Sequence, residues 1–263
     1  MNAPHNTPPI PSLELKEMDG AMLAFELTRE IGRIFEADKY AREFVISSAM
    51  VATHLHRHQT RLVRKKFPRV PYIEHPIRVT LRMIGWGERG FHLLAAGMLH
   101  DTFEDCAKEI VLLYAVDLKG GIRPLDDDRA TARRWVAQAC SSETAALVHQ
   151  VTNPPAPVTY DEHLQELAAG GAANRDALVL KAADLVDNPG SLAHQHGHVP
   201  DSFIAAKVYK YYPNVVLVAD ALRAIAAVSS ERDEAVEAAV VALDDVAANL
   251  KKLATYLNIE LEV

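Results

Sequence analysis

The chain has little cysteine, little glycine and no long apolar run. Its two cysteines, Cys106 and Cys140, exclude a disulfide framework and fit a reducing compartment such as the cytoplasm. Glycine numbers 12 in 263 residues, about 5% against an average of about 7%, which favours helix over turn-rich β structure. No apolar run approaches the roughly 18 residues of a membrane span, so no membrane partner is expected. The opening MNAPHNTPPIPS lacks the basic and apolar regions of a secretory signal. A Gly-rich phosphate loop is missing, and so is an alternating strand run of convincing length. Positive charge is in the minority: 28 basic residues face 35 acidic ones, a net charge of −7. That balance argues against nucleic acid as a partner, because phosphate backbones are bound by basic surface.

What is present is ordinary in amount and informative in spacing. The length suits one large domain or two small ones. Hydrophobic residues make up 49% and charged residues 24%, a globular balance. Residues 1–12 carry four prolines and read as a flexible tail. Helix-period segments follow over 13–35, 41–62, 76–84, 90–105, 107–116, 128–139, 143–152, 160–168 and 176–186. Asn153-Pro154-Pro155-Ala156-Pro157 and Pro189-Gly190 punctuate them. Near the C-terminus, Val236, Ala239, Val240, Leu243, Val246, Leu250, Leu253 and Leu257 fall at three- and four-residue steps on one stripe. This helix packs on its own domain or forms the seam of a homo-oligomer. The expectation is an all-α, multi-helix bundle: one main domain over 13–228 and a C-terminal helix over 229–263.

The chemistry lies in two stretches. The first runs Pro71-Tyr72-Ile73-Glu74-His75-Pro76 and then, 25 residues after His75, His100-Asp101-Thr102-Phe103-Glu104-Asp105. The second is Lys181-Ala182-Ala183-Asp184-Leu185-Val186-Asp187-Asn188. Adjacent helical residues point about 100° apart, yet His100 and Asp101 can converge on an ion between their directions. Glu104 and Asp105 follow them by one turn, so each pair shares a face. So many ligand-type side chains at the end of an apolar helix are costly without a positive charge among them. A divalent cation meets that need. His75, His100, Asp101 and Asp184 supply two imidazoles and two carboxylates, a mixed set suited to Mn²⁺, Fe or Zn²⁺ more than Ca²⁺.

The linked motifs resemble the HD-domain phosphohydrolases, most closely the hydrolase half of the RelA/SpoT proteins and the small alarmone hydrolases. The resemblance covers about residues 45 to 215. It implies that His75, His100, Asp101 and Asp184 are metal ligands, with Mn²⁺ the usual ion and Mg²⁺, Fe or Zn²⁺ as alternatives. Glu104 and Asp105 match the acidic pair that orients or deprotonates the attacking water. The implied reaction removes the 3′-diphosphate of (p)ppGpp, giving GDP or GTP and pyrophosphate; the implied partner is a guanosine polyphosphate. His56-Arg57-His58-Gln59-Thr60-Arg61 is similar to the family's HxGQxR segment, with His58 in place of glycine. Either Arg61 or the Arg64-Lys65 pair then contacts base and phosphate, within a run of five cations over 61–69. Asn188 matches a residue near the ribose, and Lys207 with Tyr211 a basic–aromatic pair closing the nucleotide site. Asp187 stands where histidine or tyrosine is common, and its charge opposes a phosphate-rich ligand. The alternatives are an HD-type nucleotidase or phosphatase for another nucleotide, and a nucleotide-binding sensor with weak activity. The alternating trios His54, His56, His58 and His194, His196, His198 scatter around a helix and form no metal face.

Overall fold

The computed structural model describes residues 14–64, 67–114 and 127–261. The proposed tail over 1–12, and Lys65, lie outside them. The described chain forms helices α1 (Gly20–Ile34), α2 (Lys39–Leu55), α3 (Glu74–Gly85), α4 (Phe91–Leu99), α5 (Thr102–Asp105), α6 (Ala107–Tyr114), α7 (Asp128–Ala139), α8 (Ser142–Val151), α9 (Tyr160–Ala169), α10 (Arg175–Asp187), α11 (Leu192–Gln195), α12 (Asp201–Val228) and α13 (Glu234–Tyr256). The all-α expectation is met, with one addition. Thr60–Arg64 (β1) and Phe67–Pro71 (β2) pair antiparallel, Thr60 opposite Pro71 and Arg61 opposite Val70. Charged residues and two prolines interrupt any alternation there, and Pro is tolerated in an isolated ribbon, where many backbone donors need no partner.

Local signals set the helix starts. Asp19 and Asp38 accept from the backbone N–H groups of Met22 and Ala41, each at 2.9 Å. Ser141 caps α8, and Thr159 forms a reciprocal capping box with Glu162 at α9; such caps satisfy backbone donors that have no partner inside the helix. Pro76 lies in the first turn of α3, where its missing N–H costs nothing.

α10 runs through the middle, with Leu178, Val179, Leu180, Ala182, Ala183 and Leu185 all buried. Around it stand α3, α4, α8, α12 and α13. Helix α12 is long and apolar enough, by length and composition, to cross a membrane. Its Ile204, Val208, Val215, Val218 and Leu222 are buried, and it packs on α10 and α13. In α13 the buried stripe is Val236, Ala239, Leu243, Val246 and Leu250, turned toward α12 and α10.

One close approach positions everything that follows. A Cβ on Gly97 of α4 would collide with Met83 Cε and lie 2.8 Å from Thr80 Oγ1, both on α3. The absent side chain therefore lets α3 and α4 pack closely. His75 enters from the start of α3 and His100 from the end of α4.

Candidate metal centre and its surroundings

The helical pattern over 90–105 is not one helix. α4 stops at Leu99 because side chains take its last carbonyls: Thr102 Oγ1 donates to Leu99 O at 2.6 Å, and His100 Nδ1 meets Gly97 O at 2.9 Å. Side-chain competition for backbone groups ends a helix in this way. His100 and Asp101 stand at this break, between α4 and α5.

His75 Nε2 lies 3.2 Å from His100 Nε2 and 3.2 Å from Asp184 Oδ1. Asp101 Oδ2 is 3.1 Å from His100 Nε2 and 3.5 Å from His75 Nε2. One ligand atom each from His75, His100 and Asp184 lie within 4.8 Å of one another, on buried residues. The donor set fits a divalent cation for a specific reason. Each ring's Nδ1 meets an acceptor, Asp187 Oδ2 at 2.7 Å for His75 and the Gly97 carbonyl for His100. In neutral rings this fixes the proton on Nδ1, so both Nε2 lone pairs face the same point, together with carboxylate oxygens. The field at that point favours positive charge. Burial opposes charging His100, but Asp101, Asp184 and the Gly97 carbonyl outweigh it and hold the imidazole at about 9. Asp101 and Asp184 are likewise held well below the usual carboxylate range: burial opposes their ionisation and is outweighed, for Asp101 by His100 and His75, for Asp184 by Lys181 and the same two imidazoles.

The flanking groups bond to the cluster and to one another. Tyr72 OH donates to Asp101 Oδ2 at 2.6 Å, and its ring stacks on His56 at 4.8 Å. Lys181, buried, donates to Asp184 Oδ2 at 3.2 Å. Asn188 Nδ2 donates to Asp184 Oδ1 at 2.5 Å. Arg61 donates to Asn188 Oδ1, and its guanidinium carbon lies 5.2 Å from the Tyr72 ring centroid. Of the two cation assignments in the 61–69 run, Arg61 reaches the site; the side chain of Arg64 and all of Lys65 lie outside the described residues.

Asp187 corrects an expectation. Its carboxylate does not face a ligand as a bare charge. It is buried and accepts from His75, from Arg78 Nε and Nη2 at 2.8 and 3.0 Å, and from Arg82 Nη1 at 2.8 Å. Lys16 Nζ donates to the Asp187 carbonyl at 2.5 Å and lies 3.7 Å from Oδ1. Burial opposes the charge, but Lys16, Arg78 and Arg82 hold Asp187 ionised well below the usual range.

Glu104 accepts from Asn153 twice, at 2.7 Å from its backbone N–H and at 3.0 Å from Nδ2. Burial, aided by Asp101, nonetheless raises Glu104 above the ordinary carboxylate value, and the same two causes raise Asp105. Lys207 Nζ lies 5.5 Å from the Phe203 ring centroid and 6.0 Å from that of Tyr211. Burial pushes the Tyr211 phenol up to about 12, with Asp184 and Asp101 adding to it and Arg61 and Lys181 opposing. Sequence reasoning missed Lys210, whose Nζ sits 4.2 Å from the Tyr160 ring centroid. It also gave no role to Lys181, Tyr72, Asn153 or Lys16. Tyr72 and Lys181 lie inside the quoted motifs, whereas nothing in the sequence ties Lys16 to Asp187.

No protein-family model matches the chain, and no curated protein matches it in sequence. Among solved structures it is similar to one described by the statement that a metazoan ortholog of SpoT hydrolyzes ppGpp and plays a role in starvation responses. The match has 19% identity and a TM-score of 0.52, and covers 78% of this chain and 94% of that one. The chain thus has the all-α fold of a SpoT-like hydrolase, as the motif resemblance implied.

Proposed function

We propose that the protein is a metal-dependent pyrophosphohydrolase that removes the 3′-diphosphate of (p)ppGpp. The observation that carries this reading is the convergence of both Nε2 lone pairs with the Asp101 and Asp184 carboxylates, beside the acidic Glu104 and Asp105, in the fold of a ppGpp hydrolase. His75, His100, Asp101 and Asp184 would hold the cation, Mn²⁺ in this reading. When bound, such an ion supplies a water acidified toward neutral pH and charge to stabilise phosphoryl oxygens.

The chain's own groups have distinct parts. Glu104 accepts the proton of the attacking water; its raised affinity for protons brings it nearer the working pH of a general base. Its two bonds to Asn153 fix its orientation. Asp105, one turn after Asp101, is the second member of the acidic pair. Arg61, over the Tyr72 ring and tied to Asn188, offers a stacking surface for the base, and Asn188 lies beside it for the ribose. Lys207 and Tyr211 flank the phosphates. The Arg64-Lys65 pair remains a second phosphate contact. Buried Lys181 fixes Asp184 and contributes positive charge to a polyanion. The acidic net charge does not oppose this substrate, because Arg61, Lys181, Lys207 and Lys210 gather at the site.

The test is a substrate panel with purified protein and Mn²⁺: ppGpp, GDP, deoxynucleoside triphosphates and NADPH, following pyrophosphate and phosphate separately. Pyrophosphate from ppGpp is the expected result. Phosphate from a nucleotide without a 3′-diphosphate would replace the reading with a nucleotidase. Asp101→Ala is expected to abolish turnover and lower metal content; full activity in that variant would overturn the ligand set.

A further inference from the structure

A cavity of about 540 Å³ opens between α7, α8, the 153–158 turn and α9. None of His75, His100, Asp101, Asp184, Arg61 or Asn188 lines it. One part of its wall is apolar: Phe103, Val158 and Leu167, with Pro154 and Pro155. From α7, Arg129 and Arg133 border it. Asp127 and Glu166 also border it. Asp127, however, is engaged in capping α7, accepting from the Arg129 backbone N–H at 2.9 Å. Among the described residues no carboxylate forms an ion pair with Arg129 or Arg133. A space large enough for a mononucleotide therefore has an apolar stretch of wall and two guanidiniums that pair with no carboxylate among the described residues. Guanidinium pairs bind phosphate with fixed geometry.

The cavity is joined to Glu104 by a short chain of bonds. Arg129 Nη1 donates to the Asn153 carbonyl at 2.7 Å. The same Asn153 holds both oxygens of Glu104. A phosphate drawing Arg129 away would loosen Asn153 and, with it, Glu104.

We propose that this cavity is a second, regulatory site for a nucleoside phosphate, with the ring system against Phe103, Val158 and Leu167 and the phosphate on Arg129 and Arg133. Occupancy lowers turnover through Asn153 and Glu104. The kinetic consequence rests on the hydrolase reading above; the binding site does not.

GMP is the probe, applied to the Mn²⁺-loaded full chain. Calorimetry is expected to show a GMP site that Arg133→Glu weakens at least about tenfold, as loss and reversal of a charge-assisted contact does. With ppGpp as substrate, GMP is expected to lower kcat several-fold in the wild type with little change in KM. Without GMP, Arg133→Glu should keep wild-type kcat and KM, and GMP should no longer lower its kcat. Val158→Trp, which fills the cavity without touching a charge, should also lose the site, so the result does not depend on one variant folding. Equal GMP affinity and stoichiometry in all three proteins, or purely competitive inhibition of the wild type, overturns the proposal. If ppGpp is not turned over but GMP binding still depends on Arg133, the substrate reading falls and the second site stands.

Discussion

Asp187 carries one negative charge and faces Lys16, Arg78 and Arg82 while accepting from His75 Nδ1. A carboxylate behind a ligating imidazole fixes its tautomer and strengthens it as a donor. Asp187→Asn is therefore expected to weaken metal binding by about 10–100-fold. It should also destabilise the protein by about 3–5 kcal/mol, because buried guanidiniums lose their counter-charge. Calorimetric metal titration and urea unfolding check the two effects, and wild-type metal affinity would remove Asp187 from the centre. Glu104→Gln addresses the chemistry instead. It should leave metal content intact and slow hydrolysis by about 10²–10⁴, the usual worth of a general base. Because Glu104 is held above its ordinary value by burial and Asp101, the acid limb of the wild-type rate profile should lie above the pH of an unperturbed carboxylate. An unchanged rate in the Gln variant would exclude the role.

Among elements, the α3–α4 contact and the segment before α1 matter most. Gly97→Val is expected to push α3 from α4, separate His75 from His100 and lower stability by about 1–3 kcal/mol, the usual cost of overpacking. Urea unfolding together with metal affinity tests this, and loss of stability without loss of affinity would show that the helices reseat. Before α1, Lys16 reaches under Asp187 and also donates to Ser191 Oγ. Burial lowers its ammonium to about 7, against the pull of Asp187 and with help from Arg82, Arg78 and Arg61. A lysine with a depressed folded value binds fewer protons in the native than in the unfolded chain between about 7 and the ordinary 10.5. Stability is then expected to rise with pH across that window. Lys16→Met should flatten the rise in unfolding free energy, and an unchanged slope would contradict the placement of Lys16.

For the whole molecule, the metal-site proposal carries a stability prediction. The candidate ligands at the start of α3, the end of α4 and the last turn of α10 meet only when these helices pack, so a cation that binds them stabilises the native chain alone. At 100 times its Kd, Mn²⁺ should add about 2.7 kcal/mol, a rise in Tm of about 5–10 °C for a domain of this size. Thermal melts with Mn²⁺ and with chelator measure it, and the rise should be absent in Asp101→Ala. An equal Tm in both conditions would argue that the cluster binds no cation.

The sequence alone determined the helical class, because glycine is scarce and apolar residues recur at helical steps. It determined the HD-type motif set, because His75, His100, Asp101 and Asp184 stand in linked local patterns. Local signals also placed Asn153 before a break. Tertiary structure decided what those patterns could not. The break after Leu99 depends on Thr102 and His100 taking carbonyls of α4, and the 60–71 hairpin on pairing that no alternation announces. That hairpin also sets Arg61 against Tyr72 and Asn188, a placement that no local pattern in the basic run announces. Asp187 reads as a repulsive charge along the chain and becomes a support for His75 only in three dimensions. Its partners Lys16, Arg78 and Arg82 lie more than a hundred residues away, and separation in sequence carries no record of charge neutralised across a fold.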